Sequence, residues 1–327
     1  MNHPKVSHRF FFSILLFLSI QISAQDRDSL NREFLFSSAN DAFVVWQNSD
    51  RFYSFGLGAS LKFKKEKLFG LKNLFSTKTD YFFETGIRLE GYTPSNKEVS
   101  LVEIVEDTIS FDRPYAGLLY GTFHITYAFE RSFLRSGALL GIMGPSSLAG
   151  DFQGWFHDKI TDDPIFDEWR FQVPDQVIFN MDFKYGYDFL PLQNWFDVYG
   201  TFDARIGNLY IDATPTLGLR LGKFNKLASS VGMDNNILSN SPGIELFFQS
   251  AISGSLNIFD GTAQGNLFNN DFKYAVDALN TLSGLLTQSV YFSSKRFSLG
   301  VEHYFTFGKV VPKERHVYAR TIFKYKF

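Results

Sequence analysis

Among side chains able to carry a proton near neutral pH, four histidines stand out beyond residue 24: His124, His157, His303 and His316. Three of them, His124, His303 and His316, sit in alternating, strand-like stretches, where a purely structural role is the plainer reading. His157 lies in a long polar stretch beside Trp155 and Asp158. That position makes it the best-placed general base, with a solvated loop histidine as the alternative. Nearer the start, "SSANDAFVVWQNSDRFYSFGLGASLKF" (37–63) puts a carboxamide and a carboxylate, Asn40 and Asp41, inside apolar sequence, and a hydroxyl, Ser54, soon after. As bare residues, Asn40 and Asp41 read as a turn or an inward-facing polar pair. Arg113 could pair with Asp112 or another carboxylate, or its guanidinium fork could grip a phosphate; Pro114 and Gly117 beside it favour structure. The chain contains no Gly-x-Ser-x-Gly elbow, His-Glu-x-x-His, P-loop or EF-hand loop. What remains is water activated by a base, with or without a metal.

The elements that must position these residues are strands. In "QVIFNMDFKYGYDFL" (176–190), Val177, Phe179, Met181, Phe183, Tyr185, Tyr187 and Phe189 fall on one face, and Ile178, Asn180, Asp182, Lys184, Gly186 and Asp188 on the other. Alternation recurs in Tyr81–Gly91, Ala116–Phe129, Gly137–Met143, Phe196–Ile211, Thr216–Phe224, Ile244–Phe259, Leu285–Phe292, Phe297–Phe307 and Val317–Phe327. With the opening pair this makes about twelve strands, an even number, as bacterial outer-membrane barrels have. Aromatic residues form 18% of the chain, with 39 Phe, 15 Tyr and 4 Trp. A membrane barrel can show them to lipid and to both interfaces, whereas a soluble β-sandwich would have to hide them. The expected fold is therefore all-β, a transmembrane antiparallel barrel of about twelve strands.

Lys5, His8 and Arg9, an apolar run from Phe10 to Ile20, and Ile22-Ser23-Ala24 read as a signal peptide over residues 1–24, leaving 25–327 as the barrel domain. Without Lys5 and Arg9 the formal charge falls from −2 to −4, which gives no case for nucleic-acid binding. The chain has no cysteine, which removes disulfide and thiolate chemistry. Two segments break the alternation. Gly144–Asp175 reads as a long extracellular loop with a short helix around Phe152–Ile160, and Asp271–Ser283 as a second helical loop element. The final strand, with Phe327 last, resembles the signal that outer-membrane barrels present to the barrel-assembly machinery.

Five blocks carry a more specific resemblance: "ANDAF" (39–43), "DRFYSFGL" (50–57), "GYTPSNK" (91–97), "FDRPYAGLLYG" (111–121) and "GDFQGWFHDKI…W" (150–169). Their identity and order resemble those of the LpxR-type lipid A 3′-O-deacylases. The resemblance implies an outer-membrane esterase that removes the 3′ acyloxyacyl group of lipid A, embedded among outer-membrane lipids. It places the family's active-site Asn-Asp on Asn40 and Asp41, its hydroxyl on Ser54 (where Thr is usual), its lysine on Lys97 and its histidine on His157. It also implies a Ca2+-dependent mechanism similar to that of secreted phospholipase A2. In that chemistry Asp41 is a suitable oxygen ligand for Ca2+, while Asn40, Ser54 and Lys97 can serve the oxyanion. Arg113, under the same resemblance, could meet a lipid A phosphate. A non-enzymatic channel or structural barrel, and an outer-membrane phospholipase, remain as alternatives at this stage.

Overall fold

The computed structural model describes residues 30–44, 52–66, 68, 70–95, 99–106, 108–161, 164–190, 195–239, 243–269, 271–276, 279–309 and 315–327. Twelve strands form a closed antiparallel barrel. They are β1 (Arg32–Asn40), β2 (Phe52–Phe63), β3 (Asp80–Thr93), β4 (Ala116–Ala128), β5 (Ser132–Met143) and β6 (Gln176–Asp188), followed by β7 (Phe196–Gly207), β8 (Tyr210–Lys223), β9 (Glu245–Asp260), β10 (Leu282–Ser293), β11 (Phe297–Phe307) and β12 (Arg315–Lys326). Each strand pairs with its sequence neighbour, and β1 closes the ring on β12, from Glu33↔Lys326 to Asn40↔Ala319. Phe327 completes the seam by exchanging backbone hydrogen bonds with Arg32. Closure leaves no unpaired edge, which is the condition for crossing a bilayer with strands. No helix among the described residues is long and apolar enough to cross a membrane.

The two faces separate as the alternation requires. On β6, Val177, Phe179, Met181, Phe183 and Tyr185 are exposed, while Ile178 and Asn180 are fully buried. Two expected boundaries differ. The hairpin between β7 and β8 turns at Asn208-Leu209, so Ala213, Thr214 and Pro215 lie inside β8 and not in a turn. Pro215 is tolerated because its neighbourhood in the β8–β9 ladder is already irregular, with the register shifting after Ile211. The expected helical element at 271–283 is absent among its described residues, which carry one turn at Lys273-Tyr274 and enter β10 at Leu282; the short helix of that loop is instead Gly261–Gln264. Asp260 starts it by accepting from the Thr262 amide and hydroxyl at 2.9 and 2.6 Å.

A segment that the alternation did not reveal fills the end of the lumen where β1 begins and β12 finishes, the periplasmic end of such barrels. Between β8 and β9 the chain folds inward as three short 3-10 turns spanning Leu227–Leu238. Leu227, Ala228, Met233, Ile237 and Leu238 pack on Phe82, Phe133 and Tyr199 of the inner wall. Wall cations hold the plug by its carbonyls: Lys62 on Asp234 O at 2.7 Å, Arg135 on Met233 O at 3.0 Å and Lys324 on Val231 O at 3.1 Å. Burial alone would raise the Asp234 carboxyl, but Lys324, Lys62, Arg320 and Arg135 outweigh it and hold the group well below the usual carboxylate range. Above the plug lies a cavity of about 580 Å³ lined by Glu84, Arg88, His124, Asp182, Glu302 and Arg320.

Because Asp234 is depressed, its contribution is complete at neutral pH and is lost only as pH falls through its lowered folded-state titration. Asp234→Asn should therefore destabilise the plug at neutral pH, by less than the ~3–5 kcal/mol of a fully buried pair, since Lys324 loses its partly exposed partner carboxylate but keeps the Val231 carbonyl. In planar bilayers the wild type should show no steady conductance and the variant intermittent openings. A steadily conducting wild type would refute plug closure.

Candidate active site

The wall itself builds the first half of the site. Asn40 ends β1, opposite Phe55 of β2 and Ala319 of β12. It continues the phase of Phe34 and Phe36, which are exposed on the outer face, so Asn40 sits on the lipid-facing side at the extracellular rim. Asp41 opens the 3-10 turn Asp41–Phe43 and is 2% exposed. The turn reverses the chain sharply enough to place a carboxamide and a carboxylate at one corner. Across from them, β2 starts with an irregularity: Tyr53 pairs with Tyr92 and Phe55 with Gly91, leaving Ser54 as an extra residue. Such a bulge re-aims a side chain at a sheet rim. Ser54 is buried and its hydroxyl lies 2.6 Å from that of Thr93.

The second half is a helix laid on the outside of the wall. The helix Ala149–Phe156 lies within the long loop and packs against Phe55, Leu89 and Tyr115. The "RPYAG" block is its seat. A β-carbon on Gly117 would come 2.4 Å from Ser147 Oγ and 2.7 Å from Ala149 Cβ, so only glycine lets the helix approach this closely. Tyr115, fully buried, meets the Trp169 ring at 5.3 Å and accepts from the Val173 amide at 2.9 Å. Trp169 in turn crosses Gly150 and donates to Gln153 Oε1 at 2.7 Å.

His157 follows the helix and opens a π-helical turn, His157–Thr161. Its Nδ1 is 2.7 Å from the Pro164 carbonyl oxygen. A carbonyl only accepts, so Nδ1 carries the proton and the neutral ring keeps its lone pair on Nε2. Phe166 packs edge-on against the ring at 5.5 Å. Leu148, Trp155, Ile160 and Ile165 are exposed around it, which gives this loop an apolar outer surface. Asp158, the next residue in the chain, is paired with Lys159 at 2.6 Å.

Asn40, Asp41, Ser54 and the helix leading to His157 thus meet at one extracellular corner, joined through Phe55, whose ring is 5.4 Å from Phe152. Lys97 lies outside the described residues. Arg113 is not at this corner: it is buried over the Tyr92 ring and donates to Thr262 Oγ1 at 2.8 Å, an internal tie between loops and not an exposed phosphate contact. Asp112 holds Ser95 instead. His124 faces the lumen beside Asp182 at 2.9 Å, His303 shares the outward phase of Val301, and His316 is buried against Tyr318. The roles of Thr93 and the Pro164 carbonyl were not visible in the sequence. Thr93 stands in the "GYTPSNK" block, where only the lysine carried an expected role, and a backbone carbonyl has no side-chain signal at all.

The described residues hold no group of three or more histidine or acidic side chains that could bind a metal. Asp41 is nonetheless the right donor for Ca2+, a hard cation that completes its shell with carbonyl, hydroxyl and water oxygens. Such a site would rest on one carboxylate.

The family model of outer membrane protein LpxR matches residues 10–327. The chain belongs to that family. Its place is accordingly the bacterial outer membrane. LpxR from Salmonella typhimurium has a similar fold, with a TM-score of 0.73 at 14% identity, over 90% of this chain and all of that one. The β domain of the Bordetella autotransporter BrkA follows at 0.44 and 10% identity, over 90% of this chain and 98% of that one. No curated protein sequence matches the chain.

Gly117→Val should push the helix Ala149–Phe156 off its seat. Heat-modifiable migration of the barrel should be unchanged, while limited proteolysis within 144–175 should accelerate at least tenfold. Unchanged proteolysis would mean that the helix does not depend on this contact.

Proposed function

We propose that the protein is an esterase that hydrolyses the 3′-linked acyloxyacyl group of lipid A in the outer leaflet. The observation that carries this reading is the placement of His157, whose loop packs on the lipid-facing outside of the barrel and exposes Trp155, Ile160 and Ile165 beside it. A base for a soluble or lumenal substrate would face the other way. Family membership supports the same reading.

The reaction follows from the groups at the corner. Nε2 of His157 takes a proton from water as its oxygen attacks the ester carbonyl, and Pro164 holds the imidazolium from behind. Asn40 and Ser54 supply hydrogen-bond donors for the oxyanion; the positive charge proposed for Lys97 rests on the family resemblance alone. Asp41 would hold a Ca2+ ion, which when bound would polarise the ester carbonyl. Collapse breaks the bond to the sugar oxygen, and the imidazolium returns its proton to that alkoxide. The products are the acyloxyacyl acid and the free 3′ hydroxyl. The plug disfavours a channel, because a pore at that end would have to expel residues 227–238.

Mass spectrometry of lipid A treated with purified protein tests the proposal: loss of the 3′ acyl chains is expected, and release of lysophospholipid alone would point to a phospholipase. His157→Gln should keep the fold and lower turnover by roughly 10²–10⁴-fold, the usual worth of a positioned base. Chelation should abolish activity and added calcium restore it, with Asp41→Asn raising the calcium requirement. Near-wild-type turnover of His157→Gln would remove the base from this histidine; full activity in excess chelator would remove the metal.

A further inference from the structure

Turns at the periplasmic end of outer-membrane barrels are short, yet the connection between β2 and β3 runs over 64–79. It folds back against the outside of the wall. Leu68, Leu71 and Phe75 cover Tyr81, Phe83, Ile125 and Tyr127. The Tyr127 hydroxyl donates to the Leu71 carbonyl at 2.7 Å, and the Phe75 and Tyr127 rings are 5.0 Å apart. The covered residues share the outward phase of Ile87 and Phe123, which meet lipid further along the same strands. The segment therefore lies beside the apolar band at its periplasmic edge, at the depth of phospholipid headgroups.

Its charge fits that place. Among the described residues of 64–80 the chain carries Lys64, Lys65, Lys72 and Lys78 against Glu66 and Asp80, although the whole chain has a formal charge of −2. Lys64 meets Asp80 at 2.5 Å and Lys72 meets Glu66 at 3.2 Å, neither pair buried. Such pairs are weak, and each ammonium keeps donors for further oxygens. Lys65 is exposed, as is Leu74, an apolar tip at 64% exposure. A lysine rim around an apolar segment pinned to a membrane wall is suited to anionic headgroups, because the stems stay in the interface while the charges reach phosphate.

We propose that segment 64–79 is a docking surface for anionic phospholipid headgroups of the periplasmic leaflet. The strands it covers, β2 to β4, are those that carry the His157 helix at their other end, so lipid held here steadies the wall beneath the site. The proposal does not depend on the reaction.

Native mass spectrometry of the detergent-solubilised protein, titrated with phosphatidylglycerol or phosphatidylcholine, tests it. Wild type should bind phosphatidylglycerol preferentially, and Lys65→Gln/Lys72→Gln should weaken that binding by about fivefold per lysine. Lys295→Gln/Arg296→Gln, at the exposed β10–β11 turn of the same end, should leave it unchanged. Inorganic phosphate should not compete at millimolar concentration; competition would assign the site to free phosphate and overturn the lipid assignment. Equal binding of both lipids, or equal losses in both variants, would overturn the proposal. Heat-modifiable migration checks that each variant is folded.

Discussion

In a bilayer the sheet has to satisfy its own backbone, and every other feature of this molecule is fitted to that closed ladder. With a two-residue period, choosing the outward set also fixes the inward one. The registers that close the ring align one inward row across nine strands: Lys326, Glu33, Lys62, Glu84, His124, Gly137, Asp182, Arg205 and, on β8, Asp212. Charge alternates from Lys326 to Glu84 and again from Asp182 to Asp212, with His124 and Gly137 between them. At Gly137 the absence of a side chain lets the His124 ring cross to Asp182, since a β-carbon would lie 2.2 Å from His124 Cδ2. A slip of any strand by one residue would send this row into lipid and its apolar neighbours into the lumen.

The row also explains the plug. The cations of a lumen wall must find oxygens, and at the periplasmic end Lys62, Lys324 and Lys326 find them in the carbonyls and the one carboxylate of the inward-folded segment. Glu245 of the wall takes the reverse role, accepting from Ser230 Oγ and the Val231 amide at 2.8 and 3.0 Å. Barrel and plug are thus one electrostatic unit. The plug's apolar residues then only have to match Phe82, Phe133 and Tyr199, which the alternation had already turned inward.

Strand number, facing and closure were legible because lipid imposes a pattern that survives in single residues, as along Val177–Phe189. What could not be read is whatever lacks that period. The segment containing Leu227–Leu238 is mixed and short-ranged, so nothing in it says that it folds into the lumen. Asp271–Ser283 reads as a helical element, yet its described part holds no helix and ends in β10, its apolar residues being divided between different neighbours, Phe272 in one cluster and Val276 and Leu279 in another. The Asn208-Leu209 turn is missed for another reason: Ile211, Ala213 and Pro215 carry on the alternation with only two residues between strands, while Pro215 looks like a turn signal.

The site follows the same division. Asn40 and Asp41 are visible because their side chains interrupt apolar sequence, Ser54 because it follows soon after them, and His157 because it is a histidine in a long polar loop; the fold brings the strand residues and the His157 helix to one corner. Their orientation comes from elements with weaker signals. Ser54 is aimed by a one-residue bulge. His157 is aimed by a backbone carbonyl, and any residue at position 164 would offer that oxygen. What selects the geometry is therefore the clamp behind it, Gly117 and Gly150 making room and Tyr115 with Trp169 filling it. The "RPYAG" block reads, in these terms, as the instruction that lays a histidine-bearing helix on the lipid-facing side of the wall. The same helix lacking that seat would have a base but no reason to face the membrane.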